Sequence, residues 1–478
     1  MQTIEEERFL DTAFDVFEND PIDITSEDKF SKDFYPTEAL GDNDSNIRFT
    51  INSQGNYWLK WDEFLLQYDA CIVKQEPGTS TWVPLAATDV VFPCNNAGHS
   101  FFKDVKVNCN FVAIDGGTAH YHLLSYLNNT VQYNLTSKST HMEAQGYYIP
   151  TKTTDYTYTA ATADASKAKF EMHTRDWDDA SNDTNNTLIK EFAGSKLKSF
   201  QIPLKVDLFH QGKHLPPGFR LDIELFRNDP RFSLVVKNRT KPDTKYRVEF
   251  KDMKLSVDYV RPAQEVGRQL ESSRQHGKNI LYQFNQLKVF RHTIPQSVAH
   301  WRFDNPFQNK QPKLVLMAFV KSNHFNEENK RPFIFTPMHL DTISLKTGGR
   351  EVGGKELNCQ DITSVYTRFN QAIKLFDSNE DCAIDLAQFK EFNFLPSFDC
   401  TQNEHPENLQ SATNLTYSIE VKFKKAETFA VDMYLFFTVD EKVVLRPDNH
   451  VISGEYVQPQ QTVVGPLVKR RRIGDPGS

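Results

Sequence analysis

Along much of the chain, apolar and polar positions alternate with a period of two. Phe200, Ile202, Leu204, Val206 and Leu208 share one side of an extended segment, with Gln201, Lys205 and Asp207 on the other. Such alternation predicts a strand with one buried face. A turn-rich link, HQGKHLPPG, leads to a second alternating set, Phe219, Leu221, Ile223 and Leu225. Tyr246, Val248 and Phe250 begin a third, and its parity shifts across Lys251 and Asp252 before Met253, Leu255, Val257 and Tyr259 continue. A parity shift inside one strand predicts a bulge or a bend. Residues 314–320, LVLMAFV, are apolar on both faces and predict a central strand. Tyr417 to Phe423 and Val431 to Val439 alternate again.

Helical spacing is confined to two clear segments, TAHYHLLSYLNN at 118–129 and DITSVYTRFNQAIKLF at 361–376. They lie at comparable places in the two halves, each after a group of strands. Residues 261–278 lack strand alternation and read as a linker with a short helix. The first 45 residues are acidic and broken by Pro21 and Pro36, which predicts an arm with one short helix near 4–18. The division expected is an arm at 1–45, a first β unit at 46–262, a linker at 263–279, a second β unit at 280–455 and a basic tail at 456–478. Segments 134–198 and 378–412 have little periodicity and predict long loops. Within the first, 151–187 is rich in Thr, Asp and Ala and predicts an exposed excursion.

Composition agrees with two units. The chain has 478 residues, enough for two or three domains. Its 37 Phe and 17 Tyr favour strands and aromatic sheet cores, and 20 Gly with 23 Pro supply turns. Mean hydropathy is −0.56, well above that of a disordered chain. A net charge of −8 argues against a body that coats nucleic acid, because that role needs a basic face. The acidic N-terminus lacks the apolar stretch of a secretory signal, and no run approaches the length of a spanning helix. The six Cys form no C-x-x-C pair and read as reduced, buried thiols. Sequons such as Asn128-Asn129-Thr130 read as chance occurrences.

Several stretches carry the look of chemistry. GREVGGKE at 349–356 matches a phosphate-loop spacing, but Glu356 stands where a metal-binding hydroxyl is needed, so a Gly-rich hairpin turn is expected. His120 and His122 resemble paired metal ligands, yet at i and i+2 on a helix they point apart. DSNEDCAID at 377–385 is acidic like a calcium loop but lacks its central Gly and closing Glu. Cys94, His99 and Ser100 fall within seven positions of VFPCNNAGHSFFKDVKVNCN. They need an orienting acid and an oxyanion pocket before they amount to a nucleophile and base. Pro, two Asn and a Gly running into Val105, Val107 and Cys109 read instead as a turn feeding a strand, with Asn95 and Asn96 as backbone caps. VKRRR at 468–472 is the strong basic cluster, in a polar tail. Its readings are a disordered end, an import signal or a nucleic-acid contact through Lys469, Arg470, Arg471 and Arg472.

NNAGHSFFKDVKVNCNFVAID followed by HYHLLSYLNN resembles a segment of the hexon-like, double jelly-roll major capsid proteins of Polinton/Maverick elements and adintovirus-type viruses. There Asn-Asn, a small residue or Leu, and His-Ser-Leu/Phe-Phe lead into a strand. Asn95, Asn96, His99, Ser100 and Phe102 carry the match. DVFENDPIDITSEDKFSKDFYP resembles the family's arm. IRFTINSQGNYWLKWDEFLLQYDACIVKQEPG resembles its first long strand and turn, although YWLKW replaces a Tyr-Ile-Asp-Leu type sequence. IPLKVDLFHQGKHLPPGFRLDIELFRND, FDNPFQNKQPKLVLMAFV, RPFIFTPMHLDTISLKTGG and DMYLFFTVDEKVVLRPDNHVI follow in the family's order.

The resemblance implies an all-β fold of two eight-stranded jelly rolls in tandem, with short helices and long loops. It implies a non-enzymatic major capsid protein without a cofactor. Homotrimers would form pseudo-hexagonal capsomers that tile an icosahedral shell. Partners would be further copies, a single jelly-roll penton protein and minor capsid proteins, with no membrane span. The basic tail would meet genome DNA or an import receptor, and assembly would be nuclear. A carbohydrate-binding, lectin-like β-sandwich is the alternative that the same fold class allows.

Overall fold

The computed structural model describes residues 25–41, 46–86, 88–115, 120–148, 191–210, 212–238, 243–322, 333–401 and 416–455. The helix expected near 4–18, the excursion at 151–187 and the basic residues at 469–472 lie outside them.

Sixteen strands make the framework. The first eight are β1 (Ser26–Phe34), β2 (Asn46–Ile51), β3 (Trp58–Gln75), β4 (Phe102–Cys109), β5 (Val112–Asp115), β6 (Lys198–Pro203), β7 (Leu221–Arg227) and β8 (Lys245–Pro262). The second eight are β9 (Ile280–Ile294), β10 (His300–Asp304), β11 (Leu314–Lys321), β12 (Leu340–Thr347), β13 (Leu357–Asn358), β14 (Ser397–Asp399), β15 (Tyr417–Phe423) and β16 (Val431–Leu445). One sheet of the first unit runs β1-β8-β3-β6, and the other runs β2-β7-β4-β5. The second unit repeats both orders with eight added to each number: β9-β16-β11-β14 and β10-β15-β12-β13. Every one of these pairings is antiparallel. Two four-stranded sheets connected in this order are a jelly roll, so the chain is a double jelly roll.

The period-two faces set this packing. In β4, Val105, Val107 and Cys109 are buried while Lys106 and Asn108 lie nearer solvent. β11, apolar on both faces, sits between β16 and β14 as a central strand should. In β8 the ladder to β3 slips between Lys251 and Lys254, and Asp252 takes φ 48°. Of the bulge or bend that the parity shift predicts, the structure shows the bulge. The GREVGGKE stretch opens on a tight hairpin turn, with Gly348 and Gly349 at φ 54° and 79° between paired Thr347 and Arg350. Positive φ at both central residues is the turn that suits strand twist, and glycine adopts it without a steric penalty.

Three sequence expectations need correction. Ser26–Phe34, assigned to the arm, is β1, the edge strand that completes the first jelly roll, so that unit starts about twenty residues before 46. The expected single strand at 200–208 ends at Pro203: the Leu204 N–H still reaches the Phe64 carbonyl at 3.1 Å, but the Val206 N–H then turns back onto the Leu204 carbonyl at 3.0 Å. Asp207–His210 is instead a 3-10 turn, although Leu204, Val206 and Leu208 stay buried. IRFTINSQGNYWLKWDEFLLQYDACIVKQEPG is two strands in opposite sheets, β2 and β3, rather than one.

The helices fall in equivalent connections. Helix α1 (Ala97–Ser100) follows β3. Helix α2 (Tyr121–Gln132) lies between β5 and β6, and helices α4 (Ile362–Ala372) and α5 (Leu386–Glu391) lie between β13 and β14, the matching connection of the second unit. Helix α3 (Gln264–Gln275) joins the units where a linker with a short helix is expected. Residues 134–148 do not form an open loop: Met142, Gln145, Tyr147 and Tyr148 are buried.

The two units share a packed seam. Trp61 of the first, stacked beside Phe209, meets Tyr282 of the second, with Trp61–Tyr282 centroids 5.9 Å apart. Tyr126 stacks on Phe333 at 4.2 Å. The Asp207 carboxylate accepts from the Leu287 N–H at 2.7 Å, and the Tyr282 hydroxyl donates to the His214 carbonyl at 2.8 Å.

Candidate functional site

The segment that carries the family resemblance folds as a buried polar junction. It leaves the short strand Val90–Pro93, makes the single turn α1 and enters β4. Asn96 opens the turn with φ 57°, a left-handed conformation that Asn tolerates better than most residues. Gly98 is required by space: a Cβ there would lie 2.7 Å from Ile202 Cγ2 and 2.9 Å from the Gln145 carbonyl oxygen.

Each motif side chain is spent on holding loops together. Asn95 Oδ1 accepts from the backbone N–H of Asn96 at 2.7 Å and of Tyr148 at 2.9 Å, while its Nδ2 donates to the Tyr148 carbonyl at 2.8 Å. Asn96 donates to the Ser125 hydroxyl at 3.2 Å and accepts from Asn129 Nδ2 at 2.9 Å. His99 Nε2 lies 3.1 Å from Gln145 Oε1 and its Nδ1 lies 2.9 Å from the Tyr121 hydroxyl. The amide oxygen can only accept, so Nε2 carries the proton and Nδ1 accepts from Tyr121. The Ser100 hydroxyl donates to the Asn95 carbonyl at 2.8 Å. Phe102, fully buried, stacks on Phe250 at 5.5 Å.

This geometry answers the catalytic reading of Cys94, His99 and Ser100. Both ring nitrogens of His99 are occupied by Tyr121 and Gln145, and the Ser100 hydroxyl faces a carbonyl rather than a base. Burial pushes the Cys94 thiol up to about 12, away from thiolate, and pulls His99 down to about 3, so the ring is neutral. Lys205 nearby pushes His99 in the same direction. The three residues are architecture: His99 ties the β3–β4 connection to the long β5–β6 insertion through Tyr121 and Gln145, Ser100 braces the turn through the Asn95 carbonyl, and Cys94 packs in the core. A typical hydrogen bond here contributes about 1 kcal/mol net, but each partner left unsatisfied costs roughly 1–3 kcal/mol.

His120 and His122 are likewise packed. His122 lies 4.2 Å from the Phe232 ring and His120 lies 5.8 Å from Tyr434 of the second jelly roll. Burial holds them neutral, with His122 pulled to about 3 and His120 to about 4. Among the described residues no three His, Cys, Asp or Glu are grouped to hold a metal ion. In the acidic loop, Asp381 accepts from the N–H groups of Ala383 and Leu135, and Asp385 caps α5. Those carboxylates serve backbone donors. All six cysteines are free and buried.

The same loop fastens the two units. Lys138, buried, donates to the Thr130 carbonyl at 2.5 Å and across the seam to the Cys382 carbonyl at 2.6 Å. Desolvation lowers its ammonium to about 8. Neither Lys138 nor the partners Tyr121, Ser125, Asn129, Gln145 and Gly98 are singled out by sequence reasoning. One signal was present: Tyr121, Ser125 and Asn129 recur every four residues along α2, a polar stripe on its buried face.

No protein-family model matches the sequence, and no curated protein matches it. Solved structures do. The chain is similar to a protein of the Sputnik virophage determined by cryo-EM, with a TM-score of 0.59 and 11% identity over 98% of this chain and 96% of that one. It is similar to the major capsid protein of mavirus, with a TM-score of 0.52 and 11% identity over 98% and 99% of the two chains. It is similar to the Faustovirus major capsid protein, with a TM-score of 0.54 and 10% identity over 89% and 92%. These likenesses span both jelly rolls and agree with the double jelly-roll order of the sheets.

Proposed function

We propose that the chain is a major capsid subunit. The observation that carries this reading is the tandem repeat of one jelly-roll topology over nearly the whole chain, in a form similar to whole capsid proteins rather than to a part of them. Two like barrels per subunit give six in a trimer, a pseudo-hexagonal outline that tiles a closed surface. The motif residues Asn95, Asn96, His99, Ser100 and Phe102 would brace the loops of the first barrel, not perform a reaction. The sequence resemblance supports placing it with the capsid proteins of Polinton/Maverick elements and adintovirus-type viruses. Its partners would then be further copies, a single jelly-roll penton protein and minor capsid proteins. Among the described residues no helix is long and apolar enough to cross a membrane.

Mass photometry and electron microscopy of the purified chain test this reading. Trimers with a hexagonal outline, or closed shells, are the expected result. A stable monomer that binds a sugar array would replace it with the lectin-like alternative. The tail residues Lys469, Arg470, Arg471 and Arg472 would meet genome DNA or an import receptor during nuclear assembly. Deleting 465–478 is expected to reduce nuclear entry or packaging and leave trimers intact. Loss of trimers would show instead that the tail is a structural clamp.

A further inference from the structure

Helix α3, between the two jelly rolls, covers a groove of about 880 Å³. Its apolar lining is Trp58, Pro216, Pro217, Pro262, Leu270 and Ile280. The charged lining is Lys213, Arg261, Arg268, Arg274 and Lys278 against Glu27 and Glu271, five cations to two anions. The helix above it is under-packed. None of its twelve residues is buried, Leu270 is 40% exposed, and Gly267, Ser272 and Ser273 weaken its intrinsic propensity. A helix of about twelve residues is marginal in water without tertiary packing, so the groove lacks a partner that the helix needs. The side chains of Arg268 and Lys278 have no ion-pair or hydrogen-bond partner among the described residues.

The described chain begins at the end of this groove. The Thr25 carbonyl accepts from the Ala263 N–H at 2.9 Å, and Glu27 accepts from the Gln264 N–H at 2.9 Å, so residue 25 sits beside the first turn of α3. The 24 residues before it are MQTIEEERFLDTAFDVFENDPIDI. At helical spacing Phe9, Leu10, Ala13, Phe14, Val16 and Phe17 fall on one side, and Asp11, Asp15 and Glu18 on the other. Seven residues separate Phe17 from the Thr25 anchor, eight Cα–Cα steps in all. Fully extended they reach roughly 27 Å, and α3 is only about 18 Å long, so the whole groove is in range.

We propose that the N-terminal segment of this same chain, residues 9–17, docks in the groove under α3. Its apolar face meets Trp58, Leu270 and Ile280, and its acidic residues meet the rim cations Arg268 and Lys278. The seat has both features the segment needs, an apolar floor and a surplus of positive charge, and the chain enters at its mouth. This assignment is independent of the capsid reading, because it concerns how one chain folds back on itself.

Hydrogen exchange on the full-length protein tests it. Deleting residues 2–18 is expected to raise exchange of the 264–275 amides by about tenfold or more, because the helix loses its packing partner. Leu270→Glu, on the groove wall, should do the same in a chain of unchanged length and guards against a deletion that disturbs folding. A synthetic peptide of residues 1–20 should restore protection to the deletion variant but not to one that also carries Arg268→Glu and Lys278→Glu. A photo-crosslinker at position 14 should join residues 264–280 and leave the protein at monomer mass on a denaturing gel. Unchanged exchange in α3 after deletion, or crosslinks elsewhere, would overturn the proposal. Crosslinked dimers would overturn it in favour of a segment donated by a second copy.

Discussion

Lowering the pH from 7.5 to 5 is expected to cost the folded chain on the order of 6 kcal/mol through three histidines alone, since each contributes about 2 kcal/mol at that pH. His99 and His122 are held near 3 and His120 near 4, all below the ordinary 6.5, because burial penalises the imidazolium. Neighbouring cations add to this: Lys205 beside His99, Lys103 beside both His120 and His122, and Arg291 beside His120. The sign follows from which state binds the proton. Below 6.5 the unfolded chain takes up protons that the folded chain refuses. Stability is therefore complete above 6.5 and falls steadily as the pH drops toward the folded values. Burial pulls His210, His214 and His292 in the same direction. Urea titrations at pH 7.5 and 5 measure the loss. His122→Phe keeps a ring against Phe232 but removes one titrating group, so its loss between the two pH values should be smaller by about 2 kcal/mol. An identical pH dependence in the variant would refute the buried-imidazole account.

These histidines also mark where sequence reasoning reached and where it stopped. The period-two faces were legible because each strand buries one side, and the bulge at Asp252 was legible as a break in parity. β1 was not. Its sequence, SEDKFSKDF, shows mostly charge, and only Phe30 and Phe34 pack against the core. An edge strand is held by backbone bonds to its neighbour and carries charge outward, so its pattern resembles a polar arm. Leu204 to Leu208 misled in the opposite way: the residues are buried, but after Leu204 the backbone turns back on itself, with the Val206 N–H on the Leu204 carbonyl, and leaves the ladder. The motif was legible as turn chemistry running into a strand. Its hydrogen-bond partners were not, because Ser125 and Gln145 lie 29 and 46 positions from Asn96 and His99, and only the fold brings them together.

Trp61→Ala is expected to destabilise the chain by about 3–5 kcal/mol, the range for removing a buried large aromatic. The residue is 1% exposed and sits where the two jelly rolls meet. Its ring lies 6.1 Å from Phe64 and 5.8 Å from Phe209, both roughly parallel, and stands edge-on to Tyr282 of the second unit at 5.9 Å. The cavity left by alanine would be walled by β3, by the Asp207–His210 turn and by β9. Phe64 and Phe209 already stack on each other at 4.1 Å, and the Tyr282 hydroxyl is fixed to the His214 carbonyl, so neither side can close over the gap. A site that cannot collapse retains the full cavity cost. The damage should also fall on the coupling between units, because Trp61 is an aromatic contact from one barrel to a strand of the other. Scanning calorimetry should then show the midpoint lowered by on the order of 10 °C and the transition split or broadened. Trp61→Phe, which keeps a ring against Phe209, should recover most of the loss. A Trp61→Ala midpoint within about 3 °C of the parent, with one sharp transition, would mean that this ring does not couple the barrels. The seam would then depend on Tyr126 against Phe333 and on the Lys138 bond to the Cys382 carbonyl.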